Sequence, residues 1–294
     1  MYYRRKILLA LIQAFGGELD KMSLQKLLFL FSRQQTEKSF HFVPYKYGCY
    51  SFQANADLGT LTKYKLVEES GNSWKKTDQT NYISELNTKD QFALKFIVSQ
   101  YKGLSKDDLI KLTYKNYPYF AINSTIAATV LNKEELARVD QQKINKTETV
   151  LFTIGYEGLS LEEYLNKLII NGIRVLCDVR RNPLSMKYGF SKSQLKNACN
   201  GVGIEYVHIP EVGIESDKRQ ELNTQADYDK LFTFYKTNIL KNEITKQMEI
   251  LNLLVHKNRL ALTCFEANIH QCHRKHLAES IGGLKDFSYE IKHI

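Results

Sequence analysis

The stretch Leu260-Ala-Leu-Thr-Cys-Phe-Glu-Ala-Asn-Ile-His-Gln-Cys-His-Arg-Lys-His276 decides the fold. Its first four residues read as a short buried strand. A loop carrying Cys264 and Glu266 follows, and then a helix opening at Cys272, His273 and Arg274. This is the strand-to-helix corner of an open α/β sheet, the place where such sheets hold their ligands. Two thiols, three imidazoles, a carboxylate and a guanidinium fall within it, a density that points to a functional site.

Working backwards, the same grammar repeats. Val150 to Ile154 reads as a strand followed by Gly155-Tyr-Glu-Gly158 and a helix from Ser160, with Glu162 and Glu163 in its first turn. Ile173 to Val179 is a second strand, followed by a loop and a helix over 191–200. Ile204 to Ile209 is a third, and helices near 228–240 and 243–256 lead to the strand before Cys264. Alternating strands and helices predict a Rossmann-like parallel sheet with helices on both faces over residues 149–294.

Residues 1–135 read differently. Helices are expected over 2–15, 22–33, 53–65 and 86–116, with Phe42 to Ser51 a loop. Leu66 to Thr77 reads as a hairpin turning at Gly71-Asn72. Helices followed by a hairpin give a mostly helical, winged-helix-like domain, an arrangement that serves DNA recognition and protein docking alike. The polar stretch 136–148 is taken as a linker. Tyr114, Tyr117, Tyr119 and Phe120 could stack on bases, but core packing or an interdomain seam is the preferred reading.

Bulk properties narrow the class. No apolar run approaches the length of a membrane span, and the N-terminal run Ile7 to Ile12 lacks a signal-peptide cleavage site. Five cysteines without framework spacing suit reduced thiols in a cytoplasm. Residues 1–148 hold 22 Lys and Arg against 15 Asp and Glu, whereas residues 149–294 hold 19 against 17. The basic half therefore suits a phosphate backbone, with a merely lysine-rich surface as the bland alternative.

Two resemblances add to this reading. Ser23-Leu-Gln-Lys-Leu-Leu-Phe-Leu-Phe31, Phe42-Val-Pro-Tyr-Lys-Tyr-Gly-Cys-Tyr-Ser51, Asp57-Leu-Gly-Thr-Leu61 and Tyr117 to Ser124 together resemble the Panacea domain of SocA-like antitoxins and proteolysis adaptors. That likeness implies recognition of a macromolecular partner by residues 1–135. Thr153 to Gly155, Asp178 to Pro183, Tyr206 to Gly213, Cys264 to Glu266 and Cys272 to Arg274 resemble the family known as domain of unknown function 488. The second likeness implies a fold and a shared site, with no reaction attached.

In a parallel sheet the residues after each strand share one edge, so these segments are expected to converge. Catalytic candidates are Glu266, Asp178, Glu157, Cys264 and His208. Ligand-binding candidates are Gly155, Tyr156, Arg180, Arg181, Pro183, Cys272, His273 and Arg274. The three arginines and the helix opening at Cys272 would cradle a phosphate, unless Arg180 or Arg274 simply pairs with Asp178. Glu266 and Asp178 would supply carboxylate chemistry towards a glycosidic bond. Cys264 could be a nucleophile with His208 across the crevice. His256, His270, His276 and His293 read as surface residues. No cofactor and no metal are expected. Cys272 and His273, if both on a helix, would diverge by about 100°, although a thiolate–imidazole metal site stays open as a third reading. The leading expectation is a nucleic-acid- or nucleotide-processing protein, with DNA the favoured partner. The runner-up is a non-enzymatic DNA-binding or antitoxin-like regulator.

Overall fold

The computed structural model describes residues 1–219 and 222–294. They divide into two units, Met1–Lys143 and Ile144–Ile294, so the segment expected as a linker (136–148) begins inside a helix of the first unit.

Unit 1 contains α1 (Tyr3–Ala14), β1 (Glu18–Asp20), α2 (Lys21–Ser32), β2 (Val43–Tyr45), β3 (Gly48–Tyr50), α3 (Phe52–Lys63), β4 (Val67–Ser70), β5 (Ser73–Lys76), α4 (Thr88–Tyr101), α5 (Lys106–Asn116), α6 (Ala127–Val130) and α7 (Lys133–Gln141). Side-chain caps fix several helix starts. Asp20 accepts from the amides of Met22 and Ser23, and Ser51, Asn87, Ser105 and Asn132 cap α3, α4, α5 and α7. The apolar stripe of α2 (Leu24, Leu27, Leu28, Phe31) packs with Ile7, Leu8, Leu11 and Ile12 of α1 in one core. Asp57 is buried and receives the guanidinium groups of both Arg4 (2.5 Å) and Arg5 (2.6 Å), tying α3 to α1.

The expected hairpin is present as β4–β5, and β1 joins it to make an antiparallel sheet in the order β1-β5-β4. The Phe42 to Ser51 segment is not a plain loop: β2 and β3 pair across it. Tyr114 is buried, and Tyr117 and Phe120 pack edge-on against Phe29. Tyr119 packs edge-on against Phe120 in turn, so packing engages all four aromatics considered for base stacking.

Unit 2 runs β6 (Val150–Gly155), α8 (Leu161–Ile170), β7 (Val175–Asp178), α9 (Lys192–Gly201), β8 (Glu205–His208), α10 (Gln225–Phe234), α11 (Ile244–Lys257), β9 (Arg259–Cys264), α12 (His273–Gly282) and β10 (Glu290–His293). A π-helical turn, Tyr235–Leu240, continues α10. Among the described residues the sheet has five strands in the order β10-β6-β9-β7-β8, and every pairing is parallel. β10 was not expected from the sequence. Ser160 and Glu163 form the capping box that starts α8.

Strand side chains alternate between faces. Leu260 and Leu262 of β9, with Val175 and Cys177 of β7, pack in one core with Leu231 and Phe232 of α10, Leu254 of α11 and Leu277 of α12. Thr263 points the other way and accepts a 2.7 Å hydrogen bond from Tyr164 of α8. Helices therefore cover both faces. No helix of the described residues is long and apolar enough to cross a membrane.

His276 is not the surface residue expected: its side chain is only 12% exposed, lying 4.4 Å from the Phe232 ring. Burial, and then the Lys236 charge, lower its pKa below the ordinary 6.5, against the opposing pull of Glu279. The unfolded chain therefore binds the proton more readily than the folded one, and stability is lost as pH falls through 6.5 and below. Urea midpoints measured between neutral and mildly acidic pH should fall less steeply in His276→Phe than in the wild type. An unchanged slope would contradict this assignment.

Candidate functional site

The parallel register sets the carboxyl ends of four strands side by side. Gly155 pairs with Cys264, Asp178 with Thr263, and Asp178 with His208. Two glycines let the loops beyond these ends close up. A Cβ on Gly155 would overlap the Glu266 carbonyl and stand 3.2 Å from Arg274 Nη1, and one on Gly213 would overlap the Arg181 amide.

Strand alternation then divides the candidates into two groups. Asp178 lies on the opposite face of β7 from Cys177, on the side of the sheet facing α8. It is fully buried and fully engaged. Arg180 Nε donates to Asp178 Oδ1 at 2.8 Å and Nη2 to Oδ2 at 2.5 Å, while Tyr206 Oη donates to Oδ2 at 2.7 Å. Arg180 Nη1 also donates to Tyr156 Oη at 2.8 Å. Burial opposes the Arg180 charge, but the hydrogen bonds and charge of Asp178 outweigh it and raise the guanidinium above its ordinary value. Burial, then the Asp178 charge, push the Tyr206 hydroxyl up. This closed network answers the choice left open at Arg180 in favour of pairing. Both carboxylate oxygens of Asp178 are therefore engaged within the fold.

Cys264 belongs to the other face, two residues beyond Leu262, where it meets the start of α12. Its Sγ donates to Glu266 Oε2 at 3.2 Å and lies 3.5 Å from His273 Nδ1. His273 Nε2 lies 3.2 Å from the Val179 carbonyl. A carbonyl only accepts, so Nε2 carries the proton, and Nδ1 faces the thiol. The imidazole partner of Cys264 is thus His273 and not His208, whose Nε2 meets the Arg180 carbonyl at 3.0 Å while its Nδ1 meets Lys192 Nζ at 2.8 Å.

Cys272 completes this group. The donor atoms of Cys264, Cys272 and His273 all lie within 4.8 Å of one another, and all three residues are buried. The expected 100° divergence of Cys272 and His273 does not apply. Cys272 is the N-cap of α12, with extended backbone (φ −127°, ψ 134°), so the helical rotation begins only after it. Burial, then the neighbouring Cys264, push the Cys272 thiol well up.

A cavity of about 300 Å³ opens onto both groups, lined in part by Tyr156, Arg180, Arg181, Ser185, Cys264 and His273. The structure thus brings together Tyr156, Arg180, Arg181, Cys264 and His273 of the predicted residues. Pro183 is half-buried in the loop of the same wall. Glu266 reaches the group through Cys264. Glu157 is exposed, its Oε2 accepting from the Ala267 amide at 2.8 Å. Arg274 is 2% exposed and holds the carbonyls of Glu266 and Ala267, so it clamps a loop and is not presented to the cavity. Of the three arginines expected to cradle an anion, Arg181 alone is exposed. The sequence reading missed the rim, where Leu184 (74% exposed) and Met186 (104%) stand in solvent beside the cavity. It also missed Lys187, whose Nζ donates to the Tyr156 carbonyl at 3.0 Å. Two apolar residues exposed within a polar loop carry no period that would flag them.

A family model described as Domain of unknown function DUF488 matches residues 160–281 of this chain. The match lies within unit 2 and spans Asp178, Arg180, Tyr206, Cys264, Cys272 and His273. No curated protein matches the chain.

Proposed function

We propose that the chain processes nucleic acid or nucleotides, with unit 1 recognising the macromolecular partner and the unit 2 cavity taking one nucleotide unit for hydrolysis. The observation that carries this reading is the composition of the cavity wall: cationic Arg181 and Asn182 beside exposed apolar Leu184 and Met186, facing Cys264 and His273. Such a wall suits a ligand with an anionic end and a flat apolar end. A volume of about 300 Å³ is at the lower end for ligand pockets and admits a single nucleotide, not a duplex. The basic excess of residues 1–148 suits a phosphate backbone as partner. Unit 1 also has its own cavity of about 510 Å³, where Lys21, Lys46 and Trp74 lie beside Tyr45, Tyr47 and Tyr50, cations and rings of the kind that grip single strands.

With Asp178 held in its ion pair, the Glu266–Asp178 pair expected for a glycosidic bond is not available as a free pair. The reaction centre is instead the corner of Cys264, Cys272 and His273, with Glu266 beside it. Arg181 holds the phosphate, so Arg181→Ala should weaken binding of a nucleoside monophosphate about 10–100-fold, the worth of a hydrogen bond to a charged group. Titration calorimetry reads this directly, and equal affinity in the variant would remove Arg181 from the ligand's path. Single-stranded DNA or nucleoside monophosphates that yield no free base, phosphate or shortened strand would leave binding without hydrolysis, as the regulator reading requires.

A further inference from the structure

We infer that Cys264, Cys272 and His273 hold a zinc ion at the floor of the unit 2 cavity, with Glu266 beside its open position. The inference stands on the donor geometry and is independent of which ligand the cavity takes.

Two features of the cluster point to a metal, and its charge balance accommodates one. The first is composition and proximity. Two sulfurs and one imidazole nitrogen lie within 4.8 Å of one another in a buried setting, the donor set and crowding that zinc uses. Two local backbone events produce this arrangement. β9 delivers Cys264 to the face that α12 covers, and the extended N-cap at Cys272 turns its side chain to the same point as that of His273.

The second is the orientation of the imidazole. His273 gives its Nε2 proton to the Val179 carbonyl, leaving the Nδ1 lone pair directed at the sulfurs. A metal-bound histidine is almost always held this way, its far N–H fixed by a carbonyl or carboxylate.

Charge is compatible with a metal. Arg274 is buried, its Nε has no hydrogen-bond partner among the described residues, and no ion pair to it is formed among them. Its two hydrogen-bonded partners are the carbonyls of Glu266 and Ala267, in the loop that carries Glu266. A buried unbalanced cation is costly. A divalent ion held by two thiolates and a neutral imidazole adds no net charge, so the Glu266 carboxylate still offsets Arg274 with the ion in place.

A nucleophilic Cys264 explains less. That role needs one thiol at the cavity wall and a base, and it gives Cys272 no task. With three protein ligands and the fourth position towards the cavity, the ion would be of the open, catalytic kind. Cys264 and His273 line the cavity, so a water on the ion would meet the ligand there, and Glu266 is placed to take its proton.

The test is metal analysis of the reduced, full-length protein, with cobalt(II) substitution as a spectroscopic readout. We expect one zinc per chain and, on cobalt exchange, an intense sulfur-to-cobalt charge-transfer band. Both should be lost in Cys272→Ser and in His273→Asn. Both should persist in Cys199→Ala, which removes a buried cysteine outside the cluster. Circular dichroism of each variant separates loss of metal from loss of fold, and titration of the wild type needs no variant at all. Reduced wild-type protein that takes up neither zinc nor cobalt would overturn the inference, as would a charge-transfer band undiminished in folded Cys272→Ser. Nucleoside monophosphate affinity, measured on the same samples, reports on the ligand reading separately.

Discussion

Asp178→Ala is expected to destabilise unit 2 by about 3–5 kcal/mol, the cost of breaking a buried ion pair and leaving its partner charged in the interior. The carboxylate receives both ends of the Arg180 guanidinium and the Tyr206 hydroxyl, and Arg180 is only 6% exposed. Tyr206→Phe removes one hydrogen bond to a charged group and should cost less, about 1.5–3 kcal/mol. Urea unfolding monitored in unit 2 measures both. If Asp178→Ala cost under about 1 kcal/mol, the carboxylate would be free for chemistry and the division of the site into a structural and a reactive half would fail.

The second large effect is expected at Gly155. A methyl group there would overlap the Glu266 carbonyl, and the loop carrying Glu266 would have to move away from the β6 end, where the Phe265 carbonyl accepts from the amides of Tyr156 and Glu157. Overpacking of this kind costs about 1–3 kcal/mol. Gly155→Ala should therefore lower stability and displace Glu266 from Cys264 together, whereas Gly158→Ala meets no neighbouring atom and fails only through its positive φ of 78°. Equal stability of Gly155→Ala and wild type would show that the two loops do not approach as described.

Much of this architecture was readable from the sequence because the inner strands are buried on both faces. Leu-Phe-Thr-Ile over 151–154 and Leu-Ala-Leu-Thr over 260–263 stand out as apolar runs, and Ser160 with Glu163 marks a helix start. The strands that escaped notice are short or partly wet. β10 (Glu-Ile-Lys-His) is an edge strand that leans on β6 along one side only, and β1 is three residues long. Pro44 disguised β2, since proline is depleted in strands.

The site was legible in its residues but not in its grouping. A strand buried on both sides has no polar face, so the sequence does not say which way Asp178 or Cys264 points. The structure assigns them to opposite faces, and this separates a carboxylate from a thiol that the sequence placed at one edge. Likewise, helical geometry argues against Cys272 and His273 converging, and it misleads because the helix begins one residue later than the argument assumes.

Everything proposed for unit 2 places its chemistry in the Cys264, Cys272 and His273 corner. X-ray absorption at the zinc edge of the metal-loaded protein tests it most directly. The expected result is an inner shell of two sulfurs at about 2.3 Å and one imidazole nitrogen at about 2.0–2.1 Å, with room for a light atom beside them. A shell made up of oxygen and nitrogen alone would contradict it.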